Sequence, residues 1–169
     1  EMLAEKNARV FGKYEFNEII TTDPHAYNAL KNEYPVLDIA YPVRHYTQFL
    51  AERLAQIKPL LKQEAKARVT FHDPCYLGRA NGIYDEPRAL LAAIPGVELV
   101  EMSHHRETSL CCGGGGGGMW LDGFQWEKAH VRLSEWRVRE AVAAGADILV
   151  VACPYEAPRF EDATKMVQG

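Results

Sequence analysis

Short apolar runs alternate along the chain with longer stretches whose apolar residues recur at helical spacing. β-Branched residues are frequent in the short runs, and Asp-Pro, Pro-Gly or Cys-Pro steps bound most of them. The runs predict strands at residues 19–22, 41–44, 68–71, 97–101 and 148–151. Short apolar runs bounded by turn residues are typical of strands buried inside a sheet.

Helices are predicted between these strands, where apolar residues share one face. They lie at residues 24–30, from about residue 47 onward, at 86–93 and at 124–144, with Gly145 ending the last helix. Its apolar face is predicted from Trp126, Ala129, Leu133 and Trp136, and its polar positions are Lys128, Arg132, Glu135 and Arg139. Strands separated by helices pair in parallel. The pattern therefore predicts an α/β fold: an open, mainly parallel sheet of Rossmann-like type with helices on both faces.

Charge and apolar content exclude some classes of function. The 19 basic and 23 acidic residues give a net charge of −4, and no basic cluster indicates a nucleic-acid reader. The longest apolar run, at residues 148–153, is far shorter than the roughly 20 residues that cross a bilayer. We therefore expect no direct membrane span, and any membrane connection would come through another subunit. The start at Glu1 predicts a fragment of a longer protein.

Four cysteines are the candidate chemistry: Cys75, the adjacent Cys111 and Cys112, and Cys153. Without a secretory signal they do not indicate a disulfide scaffold, which leaves metal ligation, redox chemistry or plain burial. Gaps of 35 and 40 residues exclude a zinc finger or a ferredoxin-like run. They fit a site built from three loops at the carboxyl edge of a parallel sheet.

Six glycines, residues 113–118, follow the cysteine pair directly. Glycine accepts positive φ and lets the backbone approach a ligand closely. Successive free N–H groups can form an anion-binding nest for thiolates and sulfides. The alternative is a flexible linker. A phosphate loop is not indicated, because no Lys-Ser/Thr pair follows the glycines.

An internal repeat aligns residues 20–27 with residues 150–157. Each copy has a strand end, then Asp23 or Cys153, a proline, and His25 or Tyr155 before a helix. The two copies are either similar strand-to-helix turns or a duplicated site in which only the second copy kept its cysteine.

The motif order resembles the cysteine-rich CCG domain of heterodisulfide reductase-like iron–sulfur subunits. The resemblance rests on residues 72–79, 111–114 and 152–155. Within that family it is most similar to the C-terminal part of the heterodisulfide-reductase-like subunit of the membrane complex associated with dissimilatory sulfite reductase. On this resemblance, residues 1–169 are one CCG-type domain, whose second motif copy lacks only the cysteine at Glu156 and whose first copy is degenerate.

The resemblance implies an oxidoreductase acting on sulfur groups within a larger complex. Such a subunit carries out disulfide and thiol redox chemistry at a [4Fe–4S] cluster, cubane or non-cubane. Its implied partners are the subunits of a quinone-linked membrane complex and a small disulfide, thiol or thiol-carrier protein. Its implied place is the cytoplasmic face of the membrane, held there by partner subunits. The implied cluster ligands are Cys75, Cys111, Cys112 and Cys153, with Gly113 and Gly114 against the cluster.

Glu156 and His72 leave alternatives open. Glu156 is implied as a fifth ligand or as the mark of an open, catalytic iron position, or it is a first-turn helix residue stabilised by the helix dipole. His72 is a ligand, a proton donor, a hydrogen-bond partner to cluster sulfur or, as the sequence favours, a strand-end histidine satisfied by backbone. A structural zinc module, a cluster-free scaffold and metal-free dithiol chemistry are the competing hypotheses.

Overall fold

The computed structural model describes residues 1–115, 117–120, 127, 128 and 130–167. The strands are β1 Ile19–Thr21, β2 Val43–His45, β3 Ala67–Phe71, β4 Val97–Leu99 and β5 Ile148–Val150. The helices are α1 Met2–Phe11, α2 Pro24–Asn28, α3 Tyr46–Glu52, α4 Leu54–Ile57, α5 Asp85–Ala92, α6 Leu133–Ala143 and α7 Glu156–Met166. Shorter helical turns are Ala29–Glu33, Tyr34–Leu37, Lys58–Leu60 and Arg106–Thr108.

All the strand pairs are parallel within the described part of the chain. β1 pairs with β2, and β3 lies between β4 and β5 in a second sheet. The predicted α/β class with parallel strands is confirmed. The strands are divided between two sheets, which the apolar pattern by itself does not indicate.

The register of the second sheet brings three strand ends together. Val69 lies opposite Leu99, and Phe71 lies opposite Val150. Strands of a parallel sheet that end at the same level send their following loops out at the same edge. Those loops carry Cys75, the cysteine pair and Cys153.

Local chemistry explains where several elements begin and end. The Asp23 carboxylate accepts a hydrogen bond of 2.9 Å from the His25 N–H, which caps α2, and Pro24 occupies the first turn. Gly145, at φ +70°, follows the end of α6, as predicted.

Two apolar clusters form the core. The first consists of Tyr27, Phe71, Leu77, Ile83 and Ala152. The second consists of Cys112, Val138, Phe160 and Ala163. Cys112 is therefore part of the hydrophobic core as well as a candidate ligand.

The long helix predicted at residues 124–144 is wrong over its described part. α6 begins only at Leu133, and His130, at φ +52°, interrupts the helical path before it. Trp126 and Ala129 lie outside the described residues.

The predicted faces of α6 are also wrong. Trp136 is 51 % exposed, whereas Arg137, Glu135 and Glu140 are buried. The reason is a buried polar cluster: Arg137 reaches the side chain of His72 on the strand side, so the helix turns polar residues inward. None of the helices in the described part of the chain has the length and apolar character needed to cross a membrane.

Candidate metal centre

The sulfurs of Cys75, Cys111 and Cys112 are in contact. The thiols of Cys75 and Cys112 both hydrogen-bond to the Cys111 sulfur. All four cysteines are free, with Cys112 and Cys153 buried and Cys75 and Cys111 half-buried. Two loops far apart in sequence thus bring three sulfurs together.

The glycine run folds back on the cysteine pair. The Gly113 N–H donates to the Cys111 Sγ at 3.3 Å, and the Gly114 N–H donates to the Cys112 Sγ at 3.4 Å. Gly113 has φ +77°, which gives the sharp bend after two adjacent cysteines. A Cβ on Gly118 would lie 2.5 Å from the Gly113 carbonyl oxygen, so only glycine fits there. The described part of the run is a folded loop whose N–H groups point at sulfur; Gly116 lies outside the described residues.

Cys153 lies in the loop after β5, beside the same glycines. A Cβ added to Gly114 would lie 3.6 Å from the Cys112 Sγ and 3.7 Å from the Tyr155 carbonyl oxygen. The Cys153 Sγ itself is 3.8 Å from His25 Nδ1. Gly114 thus lies between the cysteine pair and the Cys153 loop.

Aromatic rings border the site on the His25 side. The His25 ring lies 4.5 Å from the Tyr76 ring and 5.3 Å from the Tyr155 ring, measured between centroids. Tyr76 and Tyr155 are partly exposed. We call His25, Tyr76 and Tyr155 the aromatic rim. Sequence reasoning assigned His25 no more than a turn-forming role, although the internal repeat aligned it with Tyr155.

Glu156 is inside the site and also opens α7. Its side chain is 2 % exposed, and its Oε2 accepts a long hydrogen bond of 3.4 Å from the Ala152 N–H. Its Oε1 lies 3.4 Å from His72 Nε2. Ligand atoms of Glu156, His72 and Cys112 all lie within 4.8 Å of one another. First-turn helix residue and site residue are therefore compatible roles.

The preferred interpretation of His72, a histidine satisfied by backbone, is wrong. Its Nδ1 accepts a hydrogen bond of 3.2 Å from the Nε–H of Arg137. Arg137 is fully buried, also donates to the His104 carbonyl at 2.6 Å, and pairs with Glu140. Sequence reasoning missed Arg137 because an arginine on a helix normally indicates a solvent-facing position.

A buried ion pair anchors the Cys75 loop. Arg88 donates to both oxygens of Asp73, at 2.7 and 2.9 Å, and to both oxygens of Glu101, at 2.6 and 3.0 Å. The Arg106 N–H also donates to Asp73 at 2.7 Å. Arg88 thereby joins the loop of Cys75 to the segment that leads to the cysteine pair. Removing one partner of such a buried pair typically costs about 3–5 kcal/mol.

The protonation of the four thiols is uneven before any metal binds. Hydrogen bonds from Cys112 and Cys75, with help from the Gly113 N–H, lower the pKa of Cys111 to about 2. Hydrogen bonding to Cys111, together with burial, raises the pKa of Cys75 and of Cys112. Burial, followed by the Glu156 charge, raises the pKa of Cys153 to about 12. Cys111 is therefore the thiolate of the metal-free site.

The donor set fits a thiolate-bound iron–sulfur cluster. Iron–sulfur clusters take cysteine thiolates as ligands and respond to hydrogen bonds at sulfur. Here the Cys111 and Cys112 sulfurs already accept N–H groups, and the buried His72 Nε2 has no hydrogen-bond partner among the described residues. Four thiolates would also suit zinc.

The family of the chain follows from its match to a known domain. The pattern described as the CCG cysteine-rich domain matches residues 69–155, more than half of the chain. The chain belongs to the CCG cysteine-rich domain family. The matched segment contains Cys75, Cys111, Cys112 and Cys153, and the resemblance seen in the sequence is confirmed.

Curated relatives of this CCG domain are iron–sulfur and reductase proteins by name. It is 45 % identical over 163 residues to the probable iron-sulfur-binding oxidoreductase FadF of Bacillus subtilis, covering 96 % of this chain and 23 % of FadF. It is 35 % identical over 176 residues to the EtfAB:quinone oxidoreductase of Syntrophomonas wolfei, covering 100 % and 24 %. One subunit of the dihydromethanophenazine:CoB–CoM heterodisulfide reductase of Methanosarcina barkeri is 35 % identical over 159 residues, covering 90 % and 37 %.

The chain thus spans less than two fifths of the length of each of these relatives. No solved structure gives a significant match.

Proposed function

We propose that this CCG domain is the cluster-holding part of an iron–sulfur electron-transfer subunit in a heterodisulfide reductase-like complex. The observation that carries the proposal is the convergence of the Cys75, Cys111 and Cys112 sulfurs beside glycine N–H donors. The names of the relatives, an iron-sulfur-binding oxidoreductase, a quinone oxidoreductase and a heterodisulfide reductase subunit, support it.

Cys75, Cys111, Cys112 and Cys153 would hold a [4Fe–4S] cluster, which supplies one-electron exchange when bound. The Cys111 thiolate offers the first ligand without losing a proton, since its pKa is already low. The Gly113 and Gly114 N–H groups stabilise negative charge on the pair. Burial of Cys112 and Cys153 keeps water from that side of the site.

The finer proposal is that the electrons act on a sulfur group. A disulfide takes up two electrons and two protons as its S–S bond breaks and two thiols form. Cys75 and Cys111, the half-buried members of the site, and the partly exposed aromatic rim mark the side from which a small disulfide or a thiol-carrier protein would approach. Electrons would come from, or return to, a quinone-linked membrane complex whose subunits hold this domain at the cytoplasmic face.

Metal analysis tests the cluster. The anaerobically purified chain should be brown and contain about four irons with matching sulfide, the content of a [4Fe–4S] cluster. Cys75→Ser should lose most of that iron, whereas Thr164→Ser, in α7 away from the cysteines, should keep it. A colourless chain with stoichiometric zinc would instead indicate a structural zinc module. A chain that stays metal-free after anaerobic reconstitution would indicate a scaffold.

Glu156→Cys tests the sulfur chemistry. This substitution restores the cysteine that the family pattern has at this position. We expect iron binding to persist and turnover of a small disulfide with a chemical reductant to fall, because a fifth thiolate takes the place of an approaching substrate sulfur. Glu156→Gln, which keeps the size without adding a thiol, is the matched control. Unchanged turnover in Glu156→Cys would contradict a substrate position beside residue 156.

A further inference from the structure

His72 brings an unpaired nitrogen into the cysteine site. Its side chain is 1 % exposed, and its Nε2 has no hydrogen-bond partner in the described part of the chain. Glu156 Oε1 lies 3.4 Å away but out of line for a hydrogen bond. A buried polar group without a partner is unfavourable, so such a nitrogen indicates a missing partner.

Arg137 decides which nitrogen of His72 carries the proton. A guanidinium only donates hydrogen bonds, so Nδ1, which accepts from the Arg137 Nε–H, must present its lone pair. The proton of the neutral ring then lies on Nε2. Arg137 has little freedom to move, because it also donates to the His104 carbonyl and pairs with Glu140.

The unpaired N–H points towards sulfur. A ligand atom of His72 lies within 4.8 Å of the Cys112 Sγ as well as of Glu156. The ring of Phe160 packs edge-on against the imidazole, with centroids 4.8 Å apart, and holds the plane of the ring. A thiolate or sulfide at this position accepts the hydrogen bond that the metal-free site leaves unmade.

We propose that His72 donates a hydrogen bond from Nε2 to sulfur in the cluster-loaded site, and that Arg137 is the positioning residue that fixes this tautomer. The proposal rests on the iron–sulfur function proposed above. A hydrogen bond to cluster sulfur stabilises the more negative, reduced state and raises the reduction potential. His72 and Arg137 therefore set the potential at which the domain accepts electrons.

The reduction potential of the loaded chain tests the donor. His72→Phe keeps a ring but removes the N–H, and its potential should fall below that of the wild type at equal iron content. His72→Gln, whose amide can donate from nearly the same place, should recover part of the difference. A potential unchanged in His72→Phe, with iron retained, would overturn the proposal.

A double-mutant cycle tests the role of Arg137. Arg137→Met should lower the potential when His72 is present and lower it less in the His72→Phe background, because the two residues act through one contact. Arg139→Met, on the exposed side of the same helix and paired with Glu135, is the matched control and should change nothing. Equal falls in both backgrounds would show that Arg137 acts by charge alone and would overturn its positioning role.

The tautomer can be read without the cluster. In the ¹⁵N spectrum of the reduced, metal-free chain carrying labelled histidine, His72→Phe identifies the His72 signals. Nδ1 should be unprotonated and Nε2 protonated, and Arg137→Met should mix the two forms. A proton on Nδ1 in the wild type would overturn the inference. A wild type that takes up no iron would overturn the proposed function as well, whereas an iron-loaded wild type with the wrong tautomer overturns only this step.

Discussion

The turns after β1 and β5 share one backbone plan but use their first side chain differently. Each has a strand end, a proline and then a helix, and the structure places them side by side, with His25 Nδ1 and Cys153 Sγ 3.8 Å apart. In the first turn, Asp23 bonds back to its own helix through the His25 N–H and to the His25 ring at 3.1 Å. In the second turn, the Cys153 side chain is left available to the site.

The difference shows how a repeat without its cysteine still contributes to the site. An oxygen at the first position satisfies the local backbone, as an N-cap does. A sulfur there is a poor cap and remains available as a ligand. The first turn then serves the second by placing His25 against the buried Cys153 thiol and against the ring of Tyr155.

The strongest test exchanges the first side chain of the second turn. Cys153→Asp should lower bound iron from about four per chain to near zero, because a hard, short carboxylate replaces a soft thiolate. Asp23→Asn, the matched change in the first turn, should leave iron in place. Iron and sulfide analysis of anaerobically reconstituted proteins measures both. Full iron content in Cys153→Asp would remove Cys153 from the ligand set.

Alkylation should separate the thiols of the metal-free chain by orders of magnitude in rate. Cys111 has its pKa lowered to about 2 and is half-buried, whereas Cys153 is buried with its pKa raised to about 12. The thiolate is the reactive form, so iodoacetamide should modify Cys111 first and Cys153 last. The rate at Cys111 should hardly change across neutral pH, while that at Cys153 should rise about tenfold per unit. Peptide mass spectrometry checks the order, and early labelling of Cys153 would contradict it.

Truncating Glu156 should destabilise the second turn. In Glu156→Ala the buried Ala152 N–H loses its acceptor, and we expect a loss of about 1–3 kcal/mol in the free energy of unfolding. Glu156→Gln keeps the size and an acceptor, so its loss should be smaller. Urea denaturation under reducing conditions measures both variants. Equal stability of Glu156→Ala and the wild type would show that the contact with Ala152 contributes nothing.

Removing the cap of the first turn should have the smallest effect. Asp23→Ala leaves the His25 N–H without its acceptor and should cost about 1 kcal/mol, the usual value of an N-cap. Asp23→Ser, which can still accept that bond, should recover most of the loss. The same urea experiment applies, with iron content as a second reading. A loss of iron in Asp23→Ala would mean that the first turn takes part in metal binding.

Local and periodic features of the sequence predicted much of the fold. β-Branched runs closed by turn residues located the five strands to within about two residues, since such runs report burial directly. The carboxyl-edge rule for parallel sheets also predicted that the loops of Cys75 and Cys153 would leave the same edge, as the register shows.

The buried polar contacts were beyond sequence reasoning. Arg137 and Glu140 sit on a helix whose pattern indicated Trp136 as the core position, yet Trp136 is exposed and Arg137 is buried. Their burial depends on His72, which is 65 residues away along the chain, and periodicity carries no information on such a partner. The role of His25 was missed for the same reason, since only the contact between two sheets brings it to Cys153.

The bridge that Arg88 makes between Asp73 and Glu101 has a consequence for protein engineering. It fixes the spacing of the Cys75 loop and the strand leading to the cysteine pair through directed hydrogen bonds rather than through apolar contact. A designer who grafts only the cysteines and glycines onto another parallel sheet would copy the ligands without their ruler. The smallest transferable unit of this centre therefore includes Asp73, Arg88 and Glu101.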